Sequence, residues 1–323
     1  MHPEVLVSVI IPVKNGDIWL KQVMPAIFSQ ELKGGLEVIV IDSGSTDNTL
    51  EILSNYPVKL IQIDPVLFNH GSTRNMGAEL AKGKYVVMTV QDATPVSNLW
   101  LQRLLEGFTD DNVAGVCGQQ VVPHHHDKNP VEWYRPMSKP TQRKIYFPTP
   151  KAFEKLSADE QLSLCRWDNV NAMYRRDLLL QVPFRHTDFA EDAVWARDIL
   201  LAGYSIVYHP LAQVEHYHLE NYQYAFKRNF SLQYHFYKYF GHLPVKKKHN
   251  LVSTLKTLKL LMLEKEFTMV EKFRWFRYNL INEKAVFSSN TLFLDSIQSG
   301  GDKMLEKTYS EVCQSIPQAL KSL

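Results

Sequence analysis

The sequence predicts an α/β domain on a mainly parallel central sheet, followed by a helical C-terminal region. Three observations carry this. From the start to about residue 120, short β-branched runs alternate with amphipathic stretches, the pattern of successive βαβ units. Glycines stand where helices should stop, and hydroxyl or carboxylate residues stand where they should start. Beyond about residue 220 the composition turns basic and aromatic.

The runs at 5–13, 36–41, 58–63, 85–89 and 113–118 have the length and near-continuous apolarity of buried strands. Residues 18–30, 46–55, 72–81 and 98–107 read as the helices between them. Gly34-Gly35 and Gly83 mark helix ends, and Ser43-Gly44-Ser45-Thr46-Asp47 supplies caps for the next helix. Residues 120–166 are loop-rich. They include His124-His125-His126, read as a solvated loop because three adjacent imidazoles do not easily face one ion. A helix over 193–202, opened by Glu191-Asp192, and a strand over 205–208 lead to His216-Tyr217-His218. The division implied is a domain over residues 1–220 and a helical region over 221–323.

Composition narrows the function classes. With 45% apolar and 22% charged residues among 323, the chain is neither disordered nor fibrous. Thirty-six Lys and Arg against 34 Asp and Glu leave +2, which excludes a bulk polyanion binder. Three distant cysteines imply no disulfide framework and fit a reducing, cytoplasmic setting. The first residues lack a basic n-region and a cleavage site, and no apolar run approaches the roughly 18–20 residues that span a bilayer. Neither a signal peptide nor a spanning helix is expected.

Ligands of open parallel sheets bind beyond the carboxyl ends of the strands. Those ends are polar here: Pro12-Val13-Lys14-Asn15-Gly16, Asp42-Ser43-Gly44 and Gln91-Asp92-Ala93. The dinucleotide and phosphate-loop glycine patterns are absent, which disfavours dehydrogenases and P-loop enzymes. Asp42 is placed to accept from a base N–H or ribose hydroxyl, or to cap its own Ser-Thr-Asp turn. Asp92 stands where a hard ligand for Mg²⁺ or Mn²⁺ would neutralise a diphosphate, and His216 and His218 share one face if extended. Glu191-Asp192 offers a general base or a helix cap, and Arg74 a phosphate ligand or the partner of a helix-face acid.

In order along the chain, Val7-Ser8-Val9-Ile10-Ile11-Pro12 with Asn15, Val40-Ile41-Asp42-Ser43-Gly44-Ser45-Thr46-Asp47-Asn48-Thr49, Gln91-Asp92-Ala93, Glu191-Asp192 and His216 resemble the inverting family-two glycosyltransferases with the GT-A fold. The resemblance covers about residues 5–220. Phe68-Asn69-His70-Gly71, Thr73-Arg74-Asn75, Gln91-Asp92-Ala93 with Pro95, and Glu191-Asp192 with Trp195-Ala196 look most like the rhamnosyltransferases of bacterial surface-polysaccharide assembly. This implies that Asp42 reads the pyrimidine of a nucleotide sugar, with Pro12, Val13 and Asn15 lining the base pocket and Ser43, Arg74 and Gln91 completing the nucleotide site. Asp92 matches the last Asp of the family's D-x-D motif, and Val90 replaces the first. One carboxylate must therefore serve with His216 or His218 and the diphosphate in holding a divalent cation, Mg²⁺ or Mn²⁺. Asp192 matches the catalytic base, with Glu191 beside it, and Asn169, Asn171 and Trp167 match the strip facing donor sugar and acceptor.

The implied activity is single-displacement transfer of L-rhamnose from dTDP-L-rhamnose onto a hydroxyl of a glycan or lipid-linked glycan. The alternatives are another sugar from a UDP donor, or a non-catalytic nucleotide- or carbohydrate-binding scaffold on the same fold. A nucleotidyltransferase is disfavoured because the Gly-rich turn and Arg expected after its first strand are missing.

The tail is read from its own residues. Between Asn221 and Leu280, twelve Lys or Arg face three Glu, a local +9, and 14 of the chain's 37 aromatics fall there. Tyr222, Phe226, Phe230 and Tyr234 recur on one helical face. Lys246-Lys247-Lys248 followed by Leu251, Leu255, Leu258, Leu261 and Leu263 reads as a basic amphipathic region. Two readings stay open: docking on the anionic inner leaflet of the cytoplasmic membrane, or a helical appendage packed on the catalytic domain or on a second copy in a homodimer. No RNA-binding signature accompanies the basic stretch, so no nucleic-acid partner is expected.

Overall fold

The strand that opens the chain, β1 (Val5–Val13), is enclosed on both faces, with Val7, Val9, Ile10 and Ile11 fully buried. This is the signature of a central strand with helices on both sides. The computed structural model describes residues 4–134, 141–245 and 251–313. Lys246-Lys247-Lys248 lies outside the described residues. After β1 come α1 (Asp17–Phe28), β2 (Gly35–Asp42), α2 (Thr49–Leu53), β3 (Lys59–Gln62), α3 (His70–Leu80), β4 (Tyr85–Thr89), β5 (Thr94–Pro95), α4 (Trp100–Glu106) and β6 (Val113–Val121). The loop-rich stretch then carries β7 (Arg143–Ile145), α5 (Pro150–Glu154) and α6 (Ala158–Leu164), the last opened by a capping box between Ser157 and Glu160. β8 (Asn171–Arg175), α7 (Arg176–Gln181), α8 (Glu191–Leu201) and β9 (Ser205–Glu215) follow.

All nine strands join one sheet in the order β3-β2-β1-β4-β8-β6-β9-β5, with β7 also on β9. β3, β2, β1 and β4 run parallel, and β6 runs parallel to β9. β8 is antiparallel to both β4 and β6. The fold is thus α/β on a mostly parallel sheet, with β8 reversed at its centre and β5 and β7 antiparallel to β9. Because β1 has β2 on one side and β4 on the other, the strand order reverses between β1 and β4, the place where sheets of this kind form a ligand crevice beyond the carboxyl ends.

The chain divides into two compact units, residues 1–121 with 137–216 and residues 122–136 with 217–323. The second is helical: α9 (Tyr222–Phe240), α10 (Leu251–Leu263) and α11 (Met269–Cys313). α11 breaks at Gly300-Gly301, where Gly301 takes φ 61°, a conformation that favours glycine. Its two halves fold back on each other, with Phe293 and Leu305 in one cluster with Phe230 of α9. Tyr234 stacks on Tyr309 at 4.0 Å between ring centroids. The four-residue aromatic period of α9 is thus divided: Phe230 is fully buried, whereas Tyr222 is exposed. Among the described residues, no helix is long and apolar enough to cross a membrane.

Candidate active site

The carboxyl ends of β1 and β2 are tied by their own loops. Asn15 sits at φ 52°, left-handed backbone that Asn tolerates better than most residues. From there its Oδ1 accepts from the Thr46 N–H at 2.8 Å, and its N–H donates to Ser45 Oγ at 2.8 Å. Asp42 is fully buried, and its carboxylate accepts from the N–H groups of Gly44 and Ser45 and from the Ser45 hydroxyl at 2.5 Å. That is the turn-capping geometry. Ser43 donates its N–H to the Val13 carbonyl at 3.0 Å, pinning β2 to β1. Across the crevice, the Gln91 amide accepts from the Lys14 N–H at 2.8 Å and donates to the Lys14 carbonyl at 3.1 Å. Val13, Asn15, Asp42, Ser43 and Gln91 thus belong to one hydrogen-bonded rim, with Pro12 in β1 beneath it.

A second group of side chains gathers where α8 begins. Ala190, just before it, is held at φ 60°, one of two non-glycine residues among those described with left-handed backbone. Such strain in a non-glycine residue is commonest at functional sites. Glu191 is ion-paired with Arg74 at 2.8 Å, the two side chains being 7% and 4% exposed. Of the two readings of Arg74, pairing with a helix-face acid is the one seen. Asn169 donates its side-chain amide to the same Glu191 oxygen at 3.0 Å and its backbone N–H to Asp192 at 3.3 Å. A buried chain continues from Asn169 Oδ1 to the Tyr174 hydroxyl at 2.5 Å, which accepts from Trp167 Nε1 at 2.7 Å.

Electrostatics separates the two carboxylates. Burial opposes ionisation of Glu191, yet Arg74, His70 and Asn169 outweigh it and hold the carboxyl below its ordinary range. Asp192 receives backbone N–H groups and only a weak effect of Arg74, which do not offset its burial. Burial, then the neighbouring Glu191 charge, pushes it up to about 8. Asp192 nevertheless keeps partial solvent access, and its Oδ1 accepts from the Ala193 N–H at 2.7 Å. A carboxylate of high proton affinity, on a partly exposed residue beside a charged one, is suited to take a proton from an approaching hydroxyl.

Not every residue expected to face donor sugar and acceptor lies open. Asn171 is fully buried: its amide donates to the carbonyls of Ala212 and Gln119, and its Oδ1 accepts from Trp100 Nε1 at 2.8 Å. Trp167 is likewise buried. These two side chains bind the sheet from within, and Asn169 alone of the three touches the carboxylates.

Beyond β4 and β9 a third group forms. Asp92 Oδ1 and His216 Nε2 lie 3.6 Å apart, both side chains mostly buried. The other ring nitrogen, Nδ1, lies 2.8 Å from Gln120 Oε1. Gln120 in turn hydrogen-bonds the Asp168 carboxylate, whose pKa burial raises. One carboxylate oxygen and one imidazole nitrogen are a donor set that Mn²⁺ or Mg²⁺ accepts. His218 stands two residues along, in the second unit. Neither Gln120 nor Asp168 was singled out from the sequence. The available signal was the carboxylate directly before Asn169.

The family follows from a sequence-model match: residues 8–182 fit the glycosyl transferase family 2 model. The chain belongs to glycosyl transferase family 2. This family-2 chain is 34% identical over 208 residues to the O-antigen chain rhamnosyltransferase WbaN of Salmonella anatum, a match covering 63% of each chain, so it spans just under two thirds of that relative. It is 32% identical over 232 residues to the O-antigen chain rhamnosyltransferase RfbN of Salmonella typhimurium, covering 69% of this chain and 70% of that one. The mannosyltransferase PcManGT of Pyrobaculum calidifontis, solved with GDP-Man and Mn²⁺, matches 98% of this chain and 82% of its own with a TM-score of 0.51 at 17% identity. The shared fold is GT-A.

Proposed function

We propose that this family-2 protein is an inverting rhamnosyltransferase that moves L-rhamnose from dTDP-L-rhamnose to a hydroxyl of a glycan or lipid-linked glycan. The observation that carries the chemistry is Asp192, partly exposed and raised to about 8 beside an ion-paired Glu191. The similarity to WbaN and RfbN supports the sugar and the kind of acceptor.

In this reading the acceptor hydroxyl lies against Asp192, which takes its proton as the oxygen attacks the anomeric carbon. The bond from that carbon to the diphosphate breaks on the opposite face, giving inversion without a covalent enzyme intermediate. Glu191 acts through its neighbour: bound by Arg74 and Asn169, it keeps a negative charge beside Asp192 that strengthens the base. Asp42, Asn15, Ser43 and Gln91, with Pro12 and Val13, form the pocket for the base and ribose. Asp92 and His216, with His218 two residues on, would hold Mg²⁺ or Mn²⁺, and that ion would offset the charge of the departing diphosphate. The imidazole donors favour Mn²⁺. The helical unit would dock on the anionic cytoplasmic face of the membrane, where a lipid-linked acceptor is presented.

Asp192→Asn tests the central assignment. Transfer from dTDP-L-rhamnose should fall by about 10³-fold or more, while dTDP binding by calorimetry stays near that of the parent protein. Unchanged turnover would remove Asp192 from the role of base.

A further inference from the structure

We infer that Gln120, oriented by Asp168, is a positioning residue that sets the tautomer of His216 and so turns the Nε2 lone pair toward Asp92. The inference rests on the proposed cation site only for its consequence, since the tautomer is a property of the protein alone.

The argument follows the direction of each hydrogen bond. Asp168 Oδ1 accepts from the N–H groups of Val170 at 3.1 Å and Asn171 at 3.2 Å, which fixes the carboxylate against the start of β8. The same carboxylate is hydrogen-bonded by the Gln120 side chain, a bond that favours its ionised form. With Oε1 on the His216 side, the NH₂ group is the part of the Gln120 amide left to face that carboxylate, which accepts from it. The amide oxygen faces the other way, toward His216, where Oε1 stands 2.8 Å from Nδ1. An oxygen acceptor there requires a proton on Nδ1, and a neutral imidazole protonated at Nδ1 carries its lone pair on Nε2.

Nε2 is the atom 3.6 Å from Asp92 Oδ1. That separation exceeds a hydrogen bond, and two ligands about 2.1 Å from one ion stand that far apart when they subtend roughly 120° at it, somewhat wider than the tetrahedral angle. The ordinary preference of free imidazole is the opposite tautomer, with the proton on Nε2, which cannot ligate through that atom. Asp168, Gln120 and His216 therefore form a relay in which backbone amides of β8 decide the ligating state of a histidine at the end of β9. Hydrogen bonds of this kind raise ligand basicity and commonly change metal affinity by about 10–100-fold when removed.

The test uses the full-length ¹⁵N-labelled protein and long-range ¹H–¹⁵N correlation of histidine rings, with the His216 signal identified by its loss in His216→Gln. His216 should be in the Nδ1–H form without added metal. Gln120→Leu should return it toward the Nε2–H form and weaken Mn²⁺ binding, titrated in the presence of dTDP, by about 10-fold or more. Asp168→Asn, which lets the Gln120 amide adopt either orientation, should give a mixture of tautomers. A parent protein in the Nε2–H form overturns the inference, since that is the state expected if Asp168 donated a proton to Gln120. So does a Gln120→Leu variant with unchanged tautomer and Mn²⁺ affinity. A parent protein with the Nδ1–H form that binds no Mn²⁺ would sink the cation reading and leave the positioning role standing.

Discussion

Glu191 and Asp192 are adjacent in sequence and both lie in the first turn of α8, where the helix dipole favours negative charge. Arg74 reaches only the first of them, at 2.8 Å, and one contact assigns opposite tasks to identical functional groups. Glu191 stays charged, and its charge helps raise Asp192 to about 8. A base must be ionised to act, so kcat/KM should fall as pH drops through an acid limb well above the usual carboxylate range. Glu191→Gln removes a charge that disfavours ionisation of Asp192, so the limb should move to lower pH. Stopped assays with radiolabelled donor between pH 5 and 9 would show it, and a limb near pH 4, or one unmoved by Glu191→Gln, would contradict the pairing. From sequence, Glu191-Asp192 was legible as a base or a cap. The division of labour was not, because Arg74 lies 117 positions away and only folding brings it to Glu191.

At the scale of elements, β1, β4 and the first half of β6 were readable because they are enclosed on both faces, so nearly every side chain there is hydrophobic, whereas the edge strand β3 alternates half-buried and exposed residues. β8 escaped that reading. It is five residues long and starts with Asn171, a polar residue at a fully buried position. Burial is possible there because Asn171 satisfies its amide on Ala212, Gln119 and Trp100. Gly118 of β6 makes the room: a Cβ at that position would stand 2.2 Å from the Ala212 carbonyl oxygen and 2.3 Å from Asn171 Nδ2. Gly118→Ala should therefore destabilise the protein by about 1–3 kcal/mol, read as a lower midpoint in urea denaturation. Equal midpoints would mean the strands part without loss. α2 is shorter than its pattern suggested, Thr49–Leu53, because Asp42, Ser45 and Asp47 spend the preceding residues on loop hydrogen bonds.

At the scale of the whole molecule, the basic and aromatic tail forms a helical unit whose apolar residues are only partly enclosed. Leu261 and Trp275 are buried, whereas Leu255, Leu258, Met262 and Leu263 on α10, and Met269, Val270 and Phe273 beyond it, are exposed. Lys256 and Lys259 stand exposed on the same helix. Exposed leucines flanked by lysines suit the interface of an anionic bilayer, where the stems lie among lipid and the charges meet headgroups. The protein should float with vesicles containing phosphatidylglycerol at low salt and be released as salt rises. Leu255→Asp with Met262→Asp should abolish flotation, while flotation equal on neutral lipid would rule out the charge component.

What the sequence by itself determined is the α/β class, the strands that carry the polar ends, and the family, because these depend on local periodicity and on residue order along the chain. Only the tertiary structure decided which candidates act together. It paired Arg74 with Glu191, brought Asp92 to His216 across 124 positions, enclosed Asn171 and Trp167 within the sheet, and placed residues 122–136 with the helical unit. Each of these depends on contacts between residues far apart in sequence. Periodicity and spacing report which face of an element is apolar, and they carry no information about which distant side chain will neutralise a charge placed there.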